Sequence, residues 1–211
     1  MDQLIPIFPL ETVVYPGDGL NLHIFEPRYQ QLINDCAKKK MPFGIPAVVS
    51  RKIGDWGTLV ELTQVANVQP DGQMDIRTRG LRIFRITQLL KLYPGKLYSG
   101  ARVDYPANDE SGDARVMRQV LAAVKKLHAL LAVKKKFPKP VSQLTSYDVA
   151  HHAGLSLAQE YELLGLFTEG ERLHYLKRQL ELSLPVVAEM ESLKEKIKLN
   201  GHFKNLPGFE I

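Results

Sequence analysis

At about Tyr105 the apolar residues of this chain change their period, and that change constrains the fold more than any other feature. Before it, they come in short runs of strand type broken by Pro and Gly; beyond Asp113 they recur every three or four residues, as on helices. Leu20, Leu22 and Ile24 alternate with Asn21, His23 and Phe25, predicting a strand. Pro27 then stands where a helix begins, with Glu26 as its cap and Tyr29, Leu32, Ile33 and Cys36 at helical spacing. Further strands are expected over Phe43–Val49 and, after a loop Gly54-Asp55-Trp56-Gly57, over Thr58–Val68. Pro70-Asp71-Gly72-Gln73 reads as a hairpin turn, because Asp-Gly supplies the positive φ that tight turns need. Met74, Ile76 and Thr78 follow it in alternation with charged residues. The runs Leu81–Leu92 and Leu97–Tyr105, joined by the turn Tyr93-Pro94-Gly95-Lys96, complete a small, strongly bent sheet or open barrel.

Pro-Ala-Asn-Asp-Glu-Ser-Gly-Asp over 106–113 has the composition of a linker. Beyond it Val116, Val120, Val124, Leu127 and Leu131 form one helical stripe, ended by lysines with Pro138 and Pro140. Two capping boxes, Ser156 with Gln159 and Thr168 with Glu171, mark helix starts. A last helix carries Leu173, Leu176, Leu180, Leu184, Val187, Met190, Leu193 and Ile197, with a kink or break at Pro185 and Gly201 as its C′ residue. The expected organisation is therefore α+β: a β-rich domain over 1–105, a linker over 106–113, and a helical domain over 114–211. Phe203, Leu206, Phe209 and Ile211 are many apolar residues for a free tail, so the tail is expected to dock.

The composition, 45% hydrophobic and 24% charged, excludes a disordered chain. No basic stretch followed by an apolar run opens the sequence, and no run approaches the ~20 apolar residues that cross a bilayer, so a cytoplasmic protein without a membrane partner is expected. One cysteine, Cys36, permits neither an internal disulfide nor a Cys-based zinc site. The net charge of +5 divides as +3 over 1–105 and +2 over 106–211, without the concentration that a phosphate-binding face shows. The runs Lys38-Lys39-Lys40 and Lys134-Lys135-Lys136 read as solvated helix ends.

Phosphate-cradling loops, a Gly-x-Ser-x-Gly elbow and His-Glu-x-x-His are all missing from the sequence. Adjacent His151 and His152 point about a third of a turn apart on a helix, too far to clamp one metal. His23 lies on a strand with no carboxylate at a motif spacing and reads as a hydrogen-bonded structural histidine. Cys36 reads as a small buried hydrophobe. No catalytic residue, metal ligand or cofactor site is expected, and the residues argue for a binding protein.

Three stretches in order, Ile5-Pro6-Ile7-Phe8-Pro9-Leu10, Val14-Tyr15-Pro16-Gly17 and Leu22-His23-Ile24-Phe25-Glu26-Pro27-Arg28-Tyr29, resemble the start of the Lon N-terminal domain family. The likeness continues through Phe43-Gly44-Ile45, Gly57-Thr58-Leu59-Val60, Asp71-Gly72 and Gly80-Leu81-Arg82-Ile83-Phe84-Arg85-Ile86. It includes a Leu-Leu…Glu-Arg-Leu junction at Leu163-Leu164 and Glu171-Arg172-Leu173 and spans about Ile5 to Leu182. This resemblance implies a PUA-like pseudo-barrel followed by an all-helical bundle. In full Lon proteases the region helps to recognise unfolded or tagged substrates and supports hexamer assembly, ahead of ATPase and Ser-Lys protease modules. A chain ending at Ile211 is then expected to be non-catalytic, and a single cysteine departs from the zinc-bearing cereblon type. The implied function is a protein- or peptide-binding module, an adaptor in protein quality control, with unfolded proteins or peptides and a protease or chaperone as partners. No oligomeric state follows from it. PUA-like folds also include RNA binders, which makes RNA the alternative, though nucleic acid is the disfavoured partner. That reading would use Arg77 and Arg79, on one strand face, with Arg82 or Arg85 on the following strand.

Overall fold

A computed structural model describes residues 3–137 and 139–203, with side chains as far as Lys198. Six strands and the first helix come first: β1 Gln3–Pro6, β2 Gly19–Ile24, α1 Pro27–Lys39, β3 Phe43–Val49, β4 Lys52–Ala66, β5 Met74–Leu90 and β6 Gly100–Asp104. The helices α2 Ala114–Leu130, α3 Ser146–Ala150, α4 Leu157–Leu164 and α5 Glu169–Phe203 follow. All strand pairs are antiparallel, in the order β1-β6-β5-β4-β3, with β2 laid on β5. After β1 the chain crosses to the far edge of this sheet. Phe8 N–H donates to the Gly44 carbonyl at 2.8 Å, and Val48 N–H donates to that of Leu10 at 2.7 Å. These bonds, with parallel bridges at Ile7–Gly44 and Leu10–Ala47, close the sheet into a pseudo-barrel.

Two strands run further than their sequence suggests. Gly54-Asp55-Trp56-Gly57 is not a loop but part of β4, because the reversal comes earlier, at Ser50 and Arg51, both at positive φ (51° and 64°). The glycines serve packing instead. A Cβ on Gly57 would lie 2.6 Å from the Ile45 carbonyl oxygen, and one on Gly54 would lie 2.5 Å from the Tyr161 hydroxyl. The runs either side of Gly80 are also one strand, β5, continuous through a bulge at Leu81, where β4 shifts register between Leu59 and Val60. Helix α1 starts at Pro27 as expected, but Glu26 makes no side-chain cap; its carboxylate is taken by Arg28, at 2.9 Å from Nε.

The chain folds as two compact units, and its division differs from a simple halving. The first comprises Met1–Ser111 with Leu155–Arg172, the second Gly112–Gly154 with Leu173–Ile211. The segment 155–172, which the period change would assign to the helical domain, thus belongs with the strands. Tyr161 explains why: its hydroxyl accepts from Trp56 N–H on β4 at 3.2 Å, while Tyr15 donates to the Glu160 carbonyl at 3.0 Å. Nor is 106–113 a free linker throughout, since Asp109 bridges to Thr168 and is held by Arg172. The first unit's main core joins Phe8, Ile24, Tyr29, Leu32, Ile33, Phe43, Val60 and Ile76; a smaller one gathers Ile5, Leu59, Phe84 and Val103.

In the second unit Val120, Val124 and Leu127 are buried as the stripe on α2 predicts, joined by Met117 and Leu121. Leu131 instead caps the helix and is exposed. Helix α5 runs through Pro185 without a break. Residues Glu181 and Leu182 there are exposed, so water can bond the carbonyl that a proline cannot reach. It also runs past Gly201, which is not a C′ residue. The expected docking of Phe203, Leu206, Phe209 and Ile211 falls outside the described side chains, as does Pro138. Leu182, Val186, Met190, Leu193 and Ile197 are each 55–64% exposed along α5 and form an uncovered apolar stripe, so Met190, Leu193 and Ile197 of the expected spacing are not on a core face.

Candidate functional site

The polar side of the first unit is built by the register of three strands. His23 pairs with Asp75 across β2 and β5, Asn21 with Arg77, and Asp75 with Ala66 across β5 and β4. The even-numbered residues of β2 face the core, so Asn21, His23, Asp75 and Arg77 share the outer face and line a cavity of about 310 Å³ with Ala66 and Asn67. His23 Nδ1 meets Asp75 Oδ1 at 2.8 Å, and its Nε2 meets Gln73 Oε1 at 3.1 Å. The Gln73 amide nitrogen is committed to Asp71 at 2.8 Å, which leaves its oxygen toward the ring. Both ring nitrogens therefore face acceptors, the arrangement an imidazolium satisfies. The hydrogen bond to Asp75, followed by that to Gln73, raises the His23 pKa, while Asn67 and then His23 lower that of Asp75. So a carboxylate does stand beside His23; it comes from 52 residues away in sequence, which no motif spacing encodes.

A second cavity, of about 390 Å³, lies where α1 ends, lined by Cys36, Met41, Pro42, Leu62 and Leu81, with Lys40 and Glu61 among its charged residues. Cys36 is 1% exposed, and burial, followed by the charge of Asp35, pushes its thiol up to about 12. It is an inert packing group there, as its place on the apolar face suggests. Lys38 and Lys39 form the last turn of α1, where cations suit the helix terminus.

The four arginines of the RNA alternative all lie on β5, and they do not form one cluster. Arg77 and Arg79 are exposed and share a face, Arg79 standing opposite Glu61. Arg82 and Arg85 are not on a following strand, and three residues of unbroken register put them on opposite faces. Arg82 lies over the Tyr105 ring at 3.5 Å, and Arg85 forks onto Asp104, with Nε at 3.2 Å.

In the second unit the His152 ring lies 5.4 Å from that of His128 and 4.7 Å from Phe137. Burial, and then the neighbouring His128, lower its pKa, which favours the neutral ring. Among the described residues no group of three His, Cys, Asp or Glu side chains could hold a metal ion.

In the sequence Arg172 stands out only as part of a junction motif. This side chain is fully buried, and each of its three nitrogens donates hydrogen bonds. Two reach Glu169 Oε2 (3.1 and 2.9 Å); the others go to Asn108 Oδ1 (2.7 Å) and the carbonyls of Leu166 (3.0 Å) and Asp109 (2.9 Å). It is structural: it fastens 108–109 to the start of α5 within the first unit. The signal available was a Thr-Glu-x-Glu-Arg run at a helix start, but the partners lie 63 and 64 residues upstream.

A closed antiparallel sheet with a segment of helix returned onto it, in a chain that continues into a helical unit, defines a class that comparison with known proteins identifies. The chain matches the model of the ATP-dependent protease La (LON) substrate-binding domain over residues 4–196, and it belongs to that family. It is 25% identical over 217 aligned residues to the Lon protease of Escherichia coli K12, covering 92% of this chain, and equally similar to that of Shigella dysenteriae. It spans about a quarter of the length of these relatives (26%). Among solved structures, a Lon N-terminal domain protein from Xanthomonas campestris aligns with a TM-score of 0.63 at 25% identity, over 82% of this chain and 96% of that one. The N-terminal domain of a Mycobacterium avium complex Lon protease aligns with a TM-score of 0.62 at 18% identity, over 85% and 98%, a likeness of fold. Among the described residues no helix is long and apolar enough to cross a membrane.

Proposed function

We propose that this chain is a substrate-recognition module that binds unfolded segments of other proteins, acting as an adaptor in cytoplasmic protein quality control. The observation that carries the reading is the match to a substrate-binding domain over nearly the whole described chain. Two physical features support it. The α5 stripe from Leu182 to Ile197 leaves apolar side chains in water, a cost that folded monomers seldom carry without a partner. Several titratable groups, by contrast, are engaged in structural pairing: His23 with Asp75, Asp35 with Lys96 and Tyr98, Arg172 with Glu169.

The test is binding of a fluorescein-labelled protein kept unfolded by reduction and carboxymethylation, against the same protein in its native fold. The unfolded form is expected to bind in the micromolar range and the native form at least about tenfold more weakly. Binding that changes little with salt, and survives the Arg77→Ala, Arg79→Ala double substitution, fits a protein ligand. Binding of RNA in place of the polypeptide, falling steeply with salt and lost in that double variant, would replace this reading with the alternative. No ATP hydrolysis or peptidase activity is expected of the chain.

A further inference from the structure

The outer edge of β2 has no strand beside it among the described residues, and its hydrogen-bonding phase can be read from its neighbours. Gly80 N–H donates to the Asp18 carbonyl at 2.8 Å and the Thr78 hydroxyl to that of Leu20 at 3.2 Å, so both carbonyls face β5. By alternation Leu20, Leu22 and Ile24 also face β5, whereas Gly19, Asn21 and His23 turn their N–H and C=O groups away from it. The other strand agrees: the Arg77 carbonyl accepts from Thr63 on β4 at 3.0 Å, so Arg77 and its alternates face β4, and Ile76 and Thr78 face β2. Gly19, Asn21 and His23 are all exposed.

Edges of this kind are ordinarily protected, and the rest of this sheet is. Residues 7–10 cover β3, and β1 and β3 each contain a proline, Pro6 and Pro46. The six residues of β2, Gly-Leu-Asn-Leu-His-Ile, include no proline, no lysine and no carboxylate. The open stretch ends at Phe25, whose carbonyl is taken by Gln30 Nε2 at 3.2 Å and whose ring is 60% exposed.

We infer that the outer edge of β2 is a strand-addition site, at which an extended segment of a partner protein pairs with Asn21 and His23 and continues the β-sheet. This inference rests on the protein-binding reading and gives it a place. The register also specifies the ligand. On the core side an added strand lies beside Leu20 and Leu22, which are only half-buried at the margin of the main core. On the outer side it lies beside Asn21 and His23. Its side chains must therefore alternate, apolar against Leu20 and Leu22 and polar against Asn21 and His23. A second copy of this chain fits less well. Six residues extend about 20 Å, and an edge-to-edge contact of that length buries well under the ~1,000 Å² that a stable dimer needs.

The experiment uses the full chain and a short labelled peptide alternating valine and threonine between terminal lysines, alongside the carboxymethylated protein described above. Asn21→Pro removes one outward N–H and leaves the β2–β5 ladder intact, since edge strands tolerate proline on the solvent side. It is expected to weaken peptide binding by about tenfold or more, while Asn21→Ala, which keeps the backbone, has little effect. Should Asn21→Pro fail to fold, N-methylation of the peptide at successive positions reads the same contact on the natural chain. Loss of binding at every second position is expected. A flat N-methyl scan, or unchanged binding by folded Asn21→Pro, overturns the inference; if the carboxymethylated protein still binds, the broader reading stands. If neither ligand binds, both fall. Self-association that Asn21→Pro abolishes, with no peptide binding, makes the edge a contact between copies and also overturns it.

Discussion

Replacing Arg172 by Met is expected to destabilise the first unit by about 3–5 kcal/mol, the scale for removing one partner of a buried ion pair. Five donors vanish at once. Glu169, only 3% exposed, loses the cation that compensates its carboxylate, and Asn108, Leu166 and Asp109 each lose a donor. Lysine does not rescue the site, because its three donors radiate from one point and cannot reach both the 108–109 segment and Glu169 in a planar fork. For a chain of this length the shift in melting temperature is roughly 6–20 °C. Trp56, the single tryptophan, lies in the first unit, so its fluorescence through a urea titration reports on that unit alone. The double variant Glu169→Leu, Arg172→Met should recover part of the loss, since no charge then stays buried without its partner. A single-variant midpoint within error of the natural chain would show that the hub carries no stability.

Gly80→Ala is expected to be nearly as damaging, by about 2–4 kcal/mol, for a steric reason. A Cβ there would lie 2.2 Å from the Tyr15 carbonyl oxygen and 3.4 Å from Gly17 N, both backbone atoms that cannot swing aside. The same residue donates to Asp18 and accepts from Gly17 at 2.9 Å, so the strand cannot retreat without breaking its link to the 15–18 turn. Gly170→Ala supplies the contrast. Nothing lies within 4 Å of its added Cβ, and in the first turn of α5 alanine should be neutral or stabilising by up to ~1 kcal/mol. Equal effects at the two glycines, in the same urea titration, would contradict this account.

What could be read in the sequence was what its local spacing encodes. The alternation of Leu20, Leu22 and Ile24 named β2, Pro27 named the start of α1, and Asp71-Gly72 the hairpin between β4 and β5. Both capping boxes recur, Ser156 with Gln159 and Thr168 with Glu171. Failures came where long-range packing overrides local signals. Gly54, Gly57 and Gly80 look like punctuation in sequence, yet each marks a place where another segment approaches a strand too closely for a side chain. The return of 155–172 onto the strands is likewise invisible locally, because Tyr161 and Arg172 are surrounded by helical spacing while their partners lie near Trp56 and Asp109. The candidate site suffers the same blindness. The four arginines of the RNA alternative share a strand, but a bulge and the partners Asp104 and Tyr105 decide where they point. An open edge leaves no residue signature except the lack of protective ones.

Recognition of unfolded polypeptide by this chain can be read from amide hydrogen exchange of the full chain with and without saturating carboxymethylated protein. Exchange reads the backbone itself and locates contact without choosing a residue beforehand. Slower exchange is expected on binding, in the first unit over Gly19–Ile24, and reproducibly with unrelated unfolded sequences. An exchange pattern unchanged by unfolded polypeptide at saturating concentration, or slowed only when RNA is added, would contradict it.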